Sequence, residues 1–174
     1  MGYTHYWSRP KRALDARRFM RFVEDVRKLL AVLPERSSSA GGHYADEPLR
    51  IAGWDGEGEP DLLVGHVAFN GVGEMSHETF RVDHVLRDVM PFKGRYAECC
   101  KTNRKPYDLL VCAALMALKR HFPEVRVLSD GTREDWAEAR MFYERVLGQA
   151  PGEGPWETAE DKLARMAVAA GGVQ

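Results

Sequence analysis

No part of this sequence leaves fewer options open than residues 106–122. Leu109, Leu110, Val111, Ala113, Ala114, Leu115, Met116 and Leu118 surround the axis of a helix drawn through this stretch. A helix that is apolar on every side has to be enclosed by other elements. It is too short for the roughly 20 residues a bilayer span needs, so the enclosure is expected to be the protein's own core. Pro123 stops it.

The flanking segments are read as that enclosure. Residues 12–33 form an amphipathic helix: Phe19, Phe22, Val23, Val26, Leu29, Leu30 and Leu33 recur at three- and four-residue steps, and the opposite face is rich in Arg and Lys. Residues 2–8 alternate and read as a short strand, as do residues 49–54, 61–70, 78–82 and 125–128. Asn70-Gly71 signals a turn. Residues 36–47, with Ser37-Ser38-Ser39 and Gly41-Gly42, are a polar loop, and residues 86–98 read as a loop crossing the sheet edge. Thr132, with Asp135 three residues on, caps a third helix whose core face is Trp136, Ala139, Phe142, Tyr143, Val146 and Leu147, and Gly148 ends it. Residues 156–170 can form one more amphipathic helix. The expected fold is therefore α/β: a mixed sheet of about five strands, with a parallel pair beside an antiparallel meander, a buried central helix, an N-terminal amphipathic helix and C-terminal helices. One domain is expected over residues 1–148, with a linker and helical appendage over residues 149–174.

Formal net charge is −1. Whole-surface steering toward nucleic acid is not expected, and any anion preference must be local. No apolar run suggests a membrane partner, and the aromatic start Met1 to Trp7 lacks a signal core. The odd count of three cysteines, Cys99, Cys100 and Cys112, is a poor disulfide framework and fits a reducing cytosol.

Local charge points to residues 100–108. Lys101, Arg104 and Lys105 stand just before the central helix, with Asp108 the single acid of its first turn. Cations there oppose the positive end of the helix dipole, each costing about a few tenths of a kcal/mol at a surface. An anion at that point would meet the basic side chains, with Thr102, Asn103 and Tyr107 as neutral donors. The alternative is that the cations splay into solvent or pair with Glu98 and Asp108. Asp130 follows a strand, where α/β proteins place ligand-facing groups, although Asp-Gly is also ordinary turn chemistry. Around the turn at residues 70–78, Asn70 could read a base or a ribose hydroxyl, and His77 or Glu78 could act as a base; a plain hairpin is the alternative. The histidines are scattered without ligand spacing, so neither a metal nor a cofactor is expected; a site assembled from His66, His77 and Asp130 is the remaining option. Cys99 or Cys100 beside basic residues could have a depressed thiol pKa, but buried inert cysteines are commoner.

Met1 to Trp7 (MGYTHYW), Phe69-Asn70-Gly71, residues 76–80 (SHETF), residues 100–108 (CKTNRKPYD) and Ser129-Asp130-Gly131 together resemble a family of small bacteriophage and prophage proteins with no assigned activity. The likeness spans most of the chain, up to about Leu147. It implies a phage origin and the cytoplasm of an infected bacterium, and carries no catalytic residue. The expected function is binding of a small phosphorylated ligand, a nucleotide, without turnover, serving anti-defence by sequestering a host nucleotide signal. The alternatives are a hydrolase or phosphodiesterase acting on that nucleotide, and a protein inhibitor of a host enzyme. A terminal helix bearing Trp156, Leu163 and Met166 suggests a homo-oligomer.

Overall fold

A computed structural model describes residues 2–171. Met1 and the last three residues of the expected appendage lie outside the described residues. Helix α1 (Ala16–Ala31) begins four residues later than the hydrophobic period suggests, because Asp15 caps it and accepts from the Arg18 amide at 2.9 Å. Its stripe is intact: Phe19, Phe22, Val26 and Leu29 are wholly buried. Each such side chain contributes about 1.5–3 kcal/mol by leaving water.

Strand β1 (Thr4–Arg9) is followed by the short strands β2 (Ile51–Ala52) and β3 (Asp61–Leu62). After them come β4 (His66–Gly71), β5 (Phe80–Asp83) and β6 (Tyr96–Lys101). Helix α2 (Asp108–His121) leads to β7 (Arg126–Ser129), α3 (Ala137–Leu147) and α4 (Ala159–Gly171). The α/β class expected from the sequence holds. The strand directions differ from expectation: there are two antiparallel sheets, of three and four strands, rather than one mixed sheet of about five. In the first, β1 lies between β6 and β7 and is antiparallel to both, Thr4 opposite Lys101 and His5 opposite Ser129. Thus β6 and β7, joined through α2, do run the same way but never touch. The crossover leaves room for one strand, and β1 fills it because Tyr3, His5, Trp7 and Arg9 all face inward and are buried. In the second sheet β4 is central and pairs antiparallel with β2, β3 and β5.

Two local expectations need correction. The loop over residues 86–98 ends in β6, whose inward positions include Glu98 and Cys100, so no apolar alternation marks it. The strand over residues 61–70 is a hairpin of β3 and β4, closed by the Leu63 amide on the His66 carbonyl at 2.9 Å. Leu63 and Val64 form its exposed tip, which made the apolar run look continuous.

Helix α2 starts at Asp108 rather than Pro106, and residues 109–118 each expose 1% or less. Both α1 and α3 pack on it. The Thr132 amide donates to Asp135 Oδ2 at 2.7 Å ahead of α3, and Gly148 closes that helix in the left-handed region at φ 66°. Trp156 is buried against Trp136, ring centroids 5.0 Å apart, while Leu163, Met166 and Val168 on α4 are exposed. Among the described residues no helix is long and apolar enough to cross a membrane.

Candidate functional site

The C-terminal ends of β6 and β7, the N-terminal end of β1 and the start of α2 meet at one edge of the three-stranded sheet. The chain leaving β6 is folded sharply there. The Tyr3 carbonyl accepts both the Thr102 and Asn103 amides, at 3.1 and 3.2 Å. Asn103 and Arg104 are both left-handed, at φ 55° and 59°. For residues with a Cβ this costs of order 1–3 kcal/mol each, which the surrounding bonds must offset. An open cavity of about 570 Å³ lies against this turn, lined by Gly2, Tyr3, Asn103, Arg104 and Asp130. Asp130 is fixed by accepting the Thr4 amide at 3.0 Å. Lys101 stands beside Gly2, where a Cβ would lie 3.1 Å from its ammonium.

The three basic side chains are held differently. Arg104 lies over the Tyr3 ring at 4.1 Å and makes a two-pronged pair with Asp135, whose carboxyl that pairing holds below its usual range. Lys105 donates to the Glu74 and Ser76 carbonyls at 2.7 and 2.6 Å. Lys101 has no side-chain hydrogen bond or ion pair among the described residues. The first amides of α2 are occupied by tight-turn bonds: Asp108 to Lys105, Leu109 to Pro106 and Leu110 to Tyr107. Any anion at this edge therefore faces the cavity and not the helix axis.

The remaining expected residues form a neighbouring group. Asn70 is wholly buried and its amide is fully used: it donates to the His77 carbonyl (3.0 Å) and Thr79 Oγ1 (3.1 Å), and accepts from the Gly71 (2.8 Å) and His77 (3.0 Å) amides. That geometry shapes the turn and leaves no edge to read a base. Tyr107 is buried and its hydroxyl donates to the Glu78 carbonyl at 2.8 Å. Glu78 accepts the Lys101 amide at 2.6 Å, and its own amide reaches the Lys101 carbonyl at 3.2 Å, tying the two sheets together. His77 is exposed, with no side-chain partner among the described residues. The structure thus gathers Asn103, Arg104 and Asp130 on one cavity, with Lys101 beside it. Thr102, Lys105, Tyr107, Asn70, His77 and Glu78 stand outside its lining.

Under this edge lies a polar cluster that periodicity and spacing did not reveal. His5 is wholly buried, its ring edge-on to Tyr3 at 5.0 Å and to Trp136 at 4.9 Å. Its Nε2 is 2.7 Å from Asp108 Oδ1, and its Nδ1 is 2.9 Å from the Ser129 hydroxyl. Thr102 Oγ1 donates to the same Asp108 oxygen at 2.5 Å, and the Cys112 thiol donates to the other at 3.7 Å. The Gly131 amide donates to Ser129 Oγ at 2.9 Å. A carboxylate only accepts, so the proton on neutral His5 belongs on Nε2, and Nδ1 is left to accept from Ser129. The signal in the sequence was the alternation Tyr3, His5, Trp7, which puts the histidine on the inward face.

The thiols are not activated. Burial, chiefly, pushes Cys100 and Cys112 well above the ordinary thiol range, and raises Cys99 as well. The ligand atoms of His5, Asp108 and Cys112 lie within 4.8 Å of one another. Two tetrahedral zinc ligands at about 2.0–2.2 Å from the metal would stand about 3.3 Å apart. The 2.7 Å contact between His5 and Asp108 is that of a hydrogen bond, so the cluster fits proton-sharing rather than a metal shell. His66 is engaged elsewhere, with Asp61 at 3.4 Å. Comparison with family models, with curated proteins and with solved structures returns no match for this chain.

Proposed function

We propose that the protein binds a small phosphorylated molecule, a nucleotide, in the cavity at the edge of the three-stranded sheet. The observation that supports this reading is the convergence of Asn103, Arg104 and Asp130 on one cavity, with the Lys101 ammonium, which has no side-chain partner among the described residues, at its rim. Its volume, about 570 Å³, lies in the range of about 300–1,000 Å³ common for small-molecule sites. Lys101 supplies the charge for a phosphate. Asn103 and Asp130 offer an amide and a carboxylate for sugar or base. Arg104, already paired with Asp135, shapes the wall and adds charge without bearing the ligand alone. Glu78, whose carboxylate accepts the Lys101 amide, and the exposed His77 before it would contact a longer ligand.

In the setting implied by the family resemblance, such a binder acts in the cytoplasm of an infected bacterium by sequestering a host nucleotide signal. A homo-oligomer belongs to the same proposal, since α4 leaves Leu163, Met166 and Val168 exposed; light scattering that gives a monomer mass at high micromolar concentration would remove that part.

Calorimetric titration with a panel of linear and cyclic nucleotides tests the reading. A charge-assisted bond to phosphate is worth about 1.5–3 kcal/mol, so Lys101→Ala should weaken binding roughly ten- to hundredfold with folding unchanged. Absence of binding across the panel at millimolar concentration, or equal affinity in Lys101→Ala and Lys101→Glu, would sink it.

A further inference from the structure

We propose that Ser129 is a nucleophile for phosphoester cleavage, with His5 as its base and Asp108 as the residue that positions His5. The substrate class rests on the reading of the neighbouring cavity as a phosphate site; the activated serine does not. Three observations carry it. The chain Ser129 Oγ, His5 Nδ1, His5 Nε2, Asp108 Oδ1 is continuous, with steps of 2.9 Å and 2.7 Å. Its polarity is set by Asp108, which also accepts from Thr102 and Cys112 and so draws the Nε2 proton, leaving the Nδ1 lone pair on the serine hydroxyl. The chain runs from a buried interior to a half-buried hydroxyl at the end of β7, immediately before the cavity-lining Asp130.

The surroundings favour phosphorus over a carbonyl carbon. The amides nearest Ser129 are taken, that of Asp130 by the Thr4 carbonyl at 3.0 Å and that of Gly131 by Ser129 itself, so no pair of free amides waits for a carbonyl oxyanion. Lys101 and Arg104 offer positive charge instead. The Tyr3 hydroxyl, buried without a partner among the described residues and so close to Gly131 that a Cβ there would be 2.5 Å away, is a donor beside the serine. In the first step Ser129 Oγ forms a bond to phosphorus as its proton passes to His5 Nδ1. The bond from phosphorus to the leaving alcohol oxygen breaks, and that oxygen takes the proton from His5. In the second step His5 removes a proton from water as the water oxygen attacks the phosphoserine, and the proton returns to Ser129 Oγ as the phosphate leaves.

An alkyl fluorophosphonate probes the serine without a known substrate, since displacement of fluoride leaves a stable phosphonyl ester. Peptide mass spectrometry should locate the adduct on Ser129, and Ser129→Ala should abolish it while keeping the wild-type circular dichroism spectrum. His5→Gln and Asp108→Asn, where they retain that spectrum, should slow labelling by about 100-fold or more, the scale of a lost general base. Turnover of bis(p-nitrophenyl) phosphate should fall in the same order. If the histidine variant does not fold, labelling of wild type against Ser129→Ala decides alone. Folded wild type that gives no adduct on Ser129 overturns the proposal, as does a folded His5→Gln that labels at the wild-type rate. Zinc bound stoichiometrically in native mass spectra and lost in Cys112→Ser also overturns it, because His5 Nε2 would then be a ligand. Nucleotide binding with the ligand recovered intact and no adduct would remove this proposal and leave the binding reading standing; an adduct without nucleotide binding would do the reverse.

Discussion

The two ends of β1 bury polar side chains in opposite ways. At the His5 end, His5, Thr102, Asp108, Cys112 and Ser129 each find a partner inside the protein, although the Tyr3 hydroxyl and the Trp136 indole N–H flanking them have none among the described residues. At the other end Arg9 is 1% exposed, donates from Nη1 to the Asp83 carbonyl at 2.6 Å, and leaves Nε and Nη2 without a hydrogen bond among the described residues. Its nearest acid, Glu98, is 3.9 Å away and bonded to the Trp7 indole N–H at 3.1 Å. Burial pushes the Glu98 carboxyl up to about 7, outweighing the pull of Arg9 and Trp7. One end is a matched network that holds a defined proton arrangement; the other is a charge pair that burial penalises on both sides, since burial lowers the Arg9 pKa as well.

The largest effect should come from breaking the matched end. Asp108→Ala removes the acceptor of three buried donors and should cost about 3–5 kcal/mol in urea unfolding, as loss of one partner of a buried polar pair does. A loss below about 1 kcal/mol would mean that the cluster is not the satisfied unit its distances describe. Thr102→Val takes away one donor to Asp108 while keeping the shape, and about 1–3 kcal/mol is expected from the same measurement.

At the Arg9 end the expected sign reverses. Glu98 has its folded pKa raised from an ordinary value near 4.5 to about 7, so the folded state takes up a proton that the unfolded state releases. Its contribution to stability is fully present below about pH 4.5 and is lost as pH rises through about 7. Glu98→Gln, which can still accept from Trp7, should gain about 1–3 kcal/mol at pH 8 and almost nothing at pH 4. Parallel melting curves for wild type and variant across that range would contradict it. The smallest loss should be at Tyr3→Phe: among the described residues the hydroxyl has no partner to lose, so stability should stay at the wild-type level or rise by up to about 1–3 kcal/mol. A larger loss would show that this hydroxyl is satisfied in solution and that the contrast between the two ends is overstated.

The legible parts of the fold were those where a residue's role depends on near neighbours. The stripe of α1, the all-round burial of α2, the Thr132–Asp135 contact and the left-handed Gly148 all follow from spacings of three or four residues or from one backbone angle. Strand β6 was missed because its inward positions include a glutamate and a cysteine, whose burial depends on Trp7 and Arg9 across the sheet. The candidate site divides the same way. Lys101 and Arg104 stood out by charge, whereas Asn70 attracted a recognition role because its use by the backbone of residues 71–77 could not be foreseen.

Sequence alone carried the α/β class, the buried helix and the basic turn ahead of it, because helical period, helix ends and local charge are short-range properties of the chain. Tertiary structure decided what that turn is next to. Inserting β1 between β6 and β7 sets His5 beside Ser129, 124 residues away, and against Asp108, 103 residues away. No local pattern records such a pairing, since it follows from which strand fills the gap beneath α2. Side chains that read singly as a strand aromatic's neighbour, a turn serine and a first-turn acid became one hydrogen-bonded unit only when the sheet closed around them.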